Sequence, residues 1–155
     1  MHARHWMRKT AVVWLFASAA IAAAAPPETR IVKALHAFDT AVQRTEQAIQ
    51  ANGMGLVATA SASRGAAARG VKIPGNVVLM VFRNDYAVRM LAASVPAGIE
   101  APLRISLTEE PDGTTAIRYQ APSAVFAPYG NAALDAMAKE LDPVFDKIVR
   151  DAAAK

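Results

Sequence analysis

The chain has 155 residues, enough for one domain with its own core. Its 54% hydrophobic and 19% charged residues describe a globular protein, and the absence of cysteine excludes disulfides and thiolate metal sites. The formal charge of +4 is not a nucleic-acid footprint: Arg4, Arg8 and Lys9 are three of the 17 basic residues, and without them 14 basic residues face 13 acidic ones.

Residues 1–24 read as an export signal. His2, Arg4, Arg8 and Lys9 make a positive start, and Ala11-Val12-Val13-Trp14-Leu15-Phe16 opens an apolar run that continues to Ala25. That run is about 15 residues, short of the roughly 20 that a spanning helix needs. Ala22-Ala23-Ala24 suits signal peptidase, and Pro26 disfavours cutting directly after Ala25, so cleavage is expected after Ala24. The expected address is the periplasm or the medium, with no membrane attachment after cleavage. Residues 25–155 are then one domain, of which 25–30 form a flexible leader.

Ile31 to Leu35 suits a short strand. A helix follows from Phe38-Asp39, with Asp39 as its expected N-cap. Val42, Thr45, Ala48 and Ile49 recur at helical spacing, and Asn52-Gly53 ends the helix, Gly53 being free to turn left-handed. Leu56 to Ser61 reads as a second strand. Ser63 to Gly70 reads as a short alanine-rich helix capped by Ser63. Val77 to Phe82 is apolar at every position, with Val77, Leu79 and Val81 on one face and Val78, Met80 and Phe82 on the other, the pattern of a strand covered on both sides. Asp85 is placed to cap a short helix, Tyr86 to Ala93, which Pro96 and Gly98 stop.

The next two strands form a hairpin whose register can be derived. Pro111-Asp112-Gly113 supplies a type I turn with glycine at the left-handed bulge position. Leu107 then faces Ile117 and Ile105 faces Tyr119 on one side, while Ser106 faces Arg118, Thr108 faces Ala116 and Arg104 faces Gln120 on the other. Only this register puts the apolar residues on one face. After a loop or short turn at Pro122 to Gly130, a C-terminal helix spans 131–155. Leu134, Ala138, Leu141, Phe145, Ile148 and Ala152 mark its apolar stripe, and Asp142-Pro143 predicts a kink or a restart with Asp142 as cap. The sum is an α+β two-layer sandwich, a five-stranded, mostly antiparallel sheet in the order β-α-β(4)-α with helices on one face.

From Val77 to Gly130 the residues resemble the family of domain of unknown function 302 (DUF 302). The resemblance rests on Phe82 and Asn84, Pro96 with Gly98-Ile99, Pro102-Leu103-Arg104, Glu109-Glu110, Tyr119, Pro122 and Gly130, with Thr45 and Gly53 upstream. It covers about 100 residues and implies a sheet-and-helix fold like that of the TATA-binding-protein class, with no established activity. The family often has Asp-His where this chain has Ser61-Ala62, Asn-Pro-Lys where it has Asn84-Asp85-Tyr86, and His-Gly where it has Tyr129-Gly130. A function resting on those histidines is not expected here.

Few residues can carry chemistry. His36 is the only histidine after the signal, too few for a zinc or copper site, so no metal and no cofactor are expected. No G-x-S-x-G, Walker or Rossmann sequence is present. Glu109 and Glu110 are adjacent strand residues and point to opposite faces, so they cannot form a dyad. Glu109 and Tyr119 share the core-side face; a hydrogen bond from Tyr119 to Glu109 or to backbone is the structural expectation, and a ligand contact the functional one. Arg104 and Arg118 fall on the opposite face, as solvated side chains or as a clamp for a carboxylate or phosphate.

Three readings follow. The first is a non-enzymatic periplasmic module that binds a small ligand or a protein through the sheet face and the segment from Asn84 to Ala93, with Asn84, Arg104, Glu109, Arg118 and Tyr119 as candidate contacts. The second is an acid–base enzyme built from Glu109, Tyr119 and Arg104. The third is a structural homodimer joined through Val78, Met80 and Phe82. No nucleic acid is expected as partner.

Overall fold

The computed structural model describes residues 28–155, so the expected export signal and residues 25–27 of the expected leader lie outside the described residues, and the leader's last two residues, Thr29 and Arg30, are already in the first strand. Its layers are set by β3 (Asn76–Phe82), where Val77, Leu79 and Val81 are at most 1% exposed and the alternate residues are half-buried. Five strands form one sheet in the order β1-β5-β4-β3-β2, with β1 at Thr29–Ala34, β2 at Gly55–Ala60, β4 at Leu103–Glu109 and β5 at Thr115–Gln120. Every neighbouring pair is antiparallel. The two long helices, α1 (Phe38–Ala51) and α5 (Ala132–Ala153), pack on each other and on this sheet. Ile49 from α1 and Phe145, Ile148 and Val149 from α5 are fully buried with Leu79, Ile105, Leu107 and Ile117. The architecture is therefore the α+β two-layer sandwich that the strand and helix patterns predict.

The β4–β5 hairpin has the derived register: Ile105 opposes Tyr119, Ser106 Arg118, Leu107 Ile117 and Thr108 Ala116. The Gly113 N–H donates to the Glu110 carbonyl at 2.9 Å, and Gly113 has φ of +78°. Nothing lies within 4 Å of a Cβ built there, so only backbone conformation resists a side chain. Gly113→Val is therefore expected to lower stability by about 1–2 kcal/mol. An unchanged urea midpoint would reject the bulged-turn assignment.

Three helix starts differ from expectation. Ala37 is the cap of α1, so Asp39 sits in the first turn, where its charge still suits the positive helix end. The cap of α2 (Ala62–Ala67) is Ser61, whose Oγ accepts the Arg64 N–H; the Ser63 hydroxyl instead binds the Asn76 carbonyl. The cap of α3 (Asn84–Ala93) is Arg83, one residue before the candidate Asn84, and Asp85 uses its carboxylate on the Arg83 guanidinium at 2.7 Å. In each case the extended residue that starts the helix lies two residues before the polar side chain that the sequence pattern favours.

Pro143 neither divides α5 nor restarts it. The helix runs through, with Pro143 exposed and Leu141, Phe145 and Ile148 buried on the other side. An interior proline costs about 3 kcal/mol, which the burial of this stripe offsets. Asp142 serves a different helix: its Oδ1 accepts the Ser123 N–H of α4 (Pro122–Phe126) at 2.9 Å. The other end of α5 is closed from α1. Arg44 donates to the carbonyls of Ala152, Asp151 and Ala154, and His36 Nε2 donates to Ala154 at 2.8 Å. These donors satisfy last-turn carbonyls that have no partner within the helix, and the Arg44 cation suits the negative helix end.

Helix α3 lies with the helical layer and does not cover the second sheet face. Its one buried residue, Met90, belongs to the core that includes Val81, Phe126 and Leu141. A short 3-10 segment, Val95–Glu100, then folds back along α3.

Candidate ligand-binding face

Alternation along β4 and β5 splits four of the five candidate residues between the two faces of the sheet, and the fifth, Asn84, is on α3. Tyr119 points into the helical side. It is 6% exposed, its ring stacks on Phe145 at 6.5 Å between centroids, and its hydroxyl donates to Asp146 Oδ1 at 2.5 Å. Arg30 Nη1 binds the same Asp146 oxygen at 2.6 Å and sits over the Tyr119 ring. Burial, followed by the Asp146 hydrogen bond, raises the Tyr119 phenol above the ordinary tyrosine range. The partner of Tyr119 is thus Asp146 rather than the expected Glu109 or backbone.

Glu109 is occupied elsewhere. Its Oε2 accepts the Gly75 N–H at 2.7 Å, and its own N–H donates to the Gly75 carbonyl at 2.8 Å. Glu109 lies four residues along β4 from Ile105, the residue that opposes Tyr119, or roughly 13 Å at 3.3 Å per residue. Arg104 lies on the other face. Glu109, Tyr119 and Arg104 therefore do not converge, and the constellation assigned to an acid–base enzyme is not assembled.

The second sheet face is open. Arg104, Ser106, Val78 and Arg118 line one shallow groove there. Because Ser106 opposes Arg118, Arg104 and Arg118 are diagonal neighbours, about 7–8 Å apart. Their environments differ. Arg118 is engaged within the chain: Nη1 donates to the Thr108 hydroxyl, and Nη2 pairs with Glu110 at 3.2 Å. The expected two-arginine clamp is therefore half filled by Glu110. Arg104 is 55% exposed at its side chain, and its nearest carboxylate, Glu100, is 3.9 Å away. Asn84 is exposed at the start of α3 and does not line this groove.

Sequence reasoning missed a second cluster, around Tyr86. The Arg83 and Arg89 guanidiniums lie 4.3 and 5.4 Å from its ring centroid, and Arg89 forms a bidentate pair with Glu140 of α5, both bonds 2.7 Å. Beside it lies an almost wholly apolar cavity of about 30 Å³, lined by Met54, Met90 and Met137 among others. Ligand sites usually hold about 300 Å³ or more, so this void is a packing defect rather than a ligand site. Among the described residues no group of three or more histidine, aspartate or glutamate side chains is placed to hold a metal ion. Among them also, no helix is long and apolar enough to cross a membrane.

The model of the family described as domain of unknown function DUF302 matches residues 30–152. The chain belongs to the DUF302 family. A crystal structure of an uncharacterized conserved DUF302 protein from Bacillus stearothermophilus has the same fold, with a TM-score of 0.72 at 20% identity over 81% of this chain and 98% of that one. No curated protein matches. The DUF302 match thus covers nearly all of the described residues, and the open face with Arg104 is part of that domain.

Proposed function

We propose that this DUF302 protein is an exported, non-enzymatic binding module of the periplasm, and that the open sheet face takes the anionic group of a small ligand at Arg104. The observation that carries this reading is the contrast between the two arginines of the groove. Arg118 is consumed by Glu110 and Thr108, whereas Arg104 is more than half exposed beside Ser106 and its ion pair with Glu100 is long, at 3.9 Å. A guanidinium in that state can hold a carboxylate or phosphate through two N–H groups. Export rests on the charged start, the short apolar run and the Ala-x-Ala site of residues 1–24.

The test is a titration of the isotopically labelled mature protein with citrate and, separately, with inorganic phosphate, followed by amide chemical shifts. Saturable shifts centred on β4 and β5 near Ser106 are expected with at least one anion. They should weaken at least tenfold in Arg104→Gln, a loss of about 1.4 kcal/mol in binding. Folding stability should stay within about 0.5 kcal/mol, because Arg104 is a surface residue. Shifts that do not saturate, or that survive the substitution, would reject the site.

A further inference from the structure

We infer that a second copy of this chain docks against an apolar stripe formed by α3 and the 3-10 segment that follows it. The stripe consists of Val88, Leu91, Val95 and Ile99, which are 59%, 46%, 73% and 79% exposed. Val88 and Leu91 are one turn apart on the solvent-exposed side of α3, whose single buried residue is Met90. Ser94 is extended and breaks the helix, and the 3-10 segment folds back. A Cβ built on Gly98 would lie 3.1 Å from Leu91 Cδ2, so the Gly98-Ile99 step rests directly against the helix. Four exposed aliphatic side chains thus fall on two short elements that pack against each other.

Together they expose on the order of 400 Å² of apolar surface, within the range of a monomer's largest patch, which is often functional. A standard interface buries about 800 Å² per partner, a little over half of it apolar. The stripe therefore has the apolar area that one side of such an interface needs. Its rim favours a second copy over a lipid surface. Arg89 is paired with Glu140, and Arg83 with Asp85 one turn before Val88, so cations and anions alternate around the stripe. A twofold axis through such a rim brings no block of like charge together, whereas an anionic membrane calls for an excess of lysine and arginine. The sheet face expected to dimerise is a poorer candidate, because Val78, Met80 and Phe82 are all half-buried within the chain. This interface is separate from the anion-binding reading and stands or falls without it.

Sedimentation velocity of the mature protein from about 1 to 100 µM, the range of ordinary weak dimers, tests it. A monomer–dimer equilibrium is expected. Leu91→Glu and Ile99→Glu should each weaken it at least tenfold with the circular dichroism unchanged, and Met80→Glu should leave it intact. A monomer throughout that range would overturn the proposal. So would a dimer that survives both substitutions on the stripe, or one that only Met80→Glu dissolves. Flotation of the protein with phosphatidylcholine–phosphatidylglycerol vesicles, abolished by Leu91→Glu, would assign the stripe to lipid instead and would likewise overturn it.

Discussion

Replacing Phe145 by alanine is expected to lower the stability of this protein by about 3–5 kcal/mol, the range for deleting a fully buried ring. Phe145 is 0% exposed and lies midway along α5, between Leu141 and Ile148. Its ring stacks on Tyr119, so it joins the long helix to the second strand of the hairpin. Alanine removes the ring and leaves a void that neighbours on two different elements can fill only in part. The tyrosine also loses the surface that orients its hydroxyl toward Asp146. Phe145→Leu keeps most of the volume and should cost less than half as much. Urea denaturation of the three proteins measures this. A loss below about 1.5 kcal/mol for Phe145→Ala would show that the site collapses readily and that α5 is not seated through this ring.

Gly75→Ala is expected to destabilise by about 1–3 kcal/mol, as overpacking generally does. A Cβ at Gly75 would lie 2.5 Å from Phe38 Cγ and Cδ1 and 2.9 Å from Cδ2. These atoms are near the root of the ring, so no small rotation of its tip relieves the clash. Gly75 also holds Glu109 through both its N–H and its carbonyl, which restricts backbone retreat. The contact predicts strong coupling: in a Phe38→Ala background, Gly75→Ala should be neutral within about 0.5 kcal/mol. Equal losses in the two backgrounds would show that backbone conformation, and not the ring, demands glycine at this position.

The elements that could be read from the sequence are those whose signal is local. The β4–β5 register follows from a turn that demands glycine at position 113 and from apolar residues that match in one alignment only. The inward stripe of α5 from Leu134 to Ala152 follows from helical spacing alone, and it survives Pro143 because the phase does not change. The alternation of β3 and the family pattern from Phe82 to Gly130 gave the architecture for the same reason. The caps of α1, α2 and α3 each lie two residues before the side chain that the sequence favours, because the extended backbone that begins a helix need not belong to the polar residue nearest the apolar pattern.

The candidate site was legible only as a list of side chains on two faces. Strand alternation put Arg104 and Arg118 together and apart from Tyr119, as the structure has them. It had no means of showing that Glu110 occupies Arg118, or that Asp146, 27 residues further along and on a helix, takes the Tyr119 hydroxyl in place of Glu109. A helix fixes the spacing of its own residues, but packing fixes which of them meets a given strand. The same holds for Phe38 on Gly75 and for Arg44 on the last carbonyls of α5, contacts between elements whose relative placement no local pattern encodes. Sequence by itself determined the strands, the register of the β4–β5 hairpin and the inward stripe of each long helix, because those depend on backbone geometry and burial within one segment or one tight turn. Only the tertiary structure decided that α3 buries Met90 in the helical layer, leaving one sheet face open and an aliphatic stripe in water, because that choice depends on which surfaces the folded core had already covered.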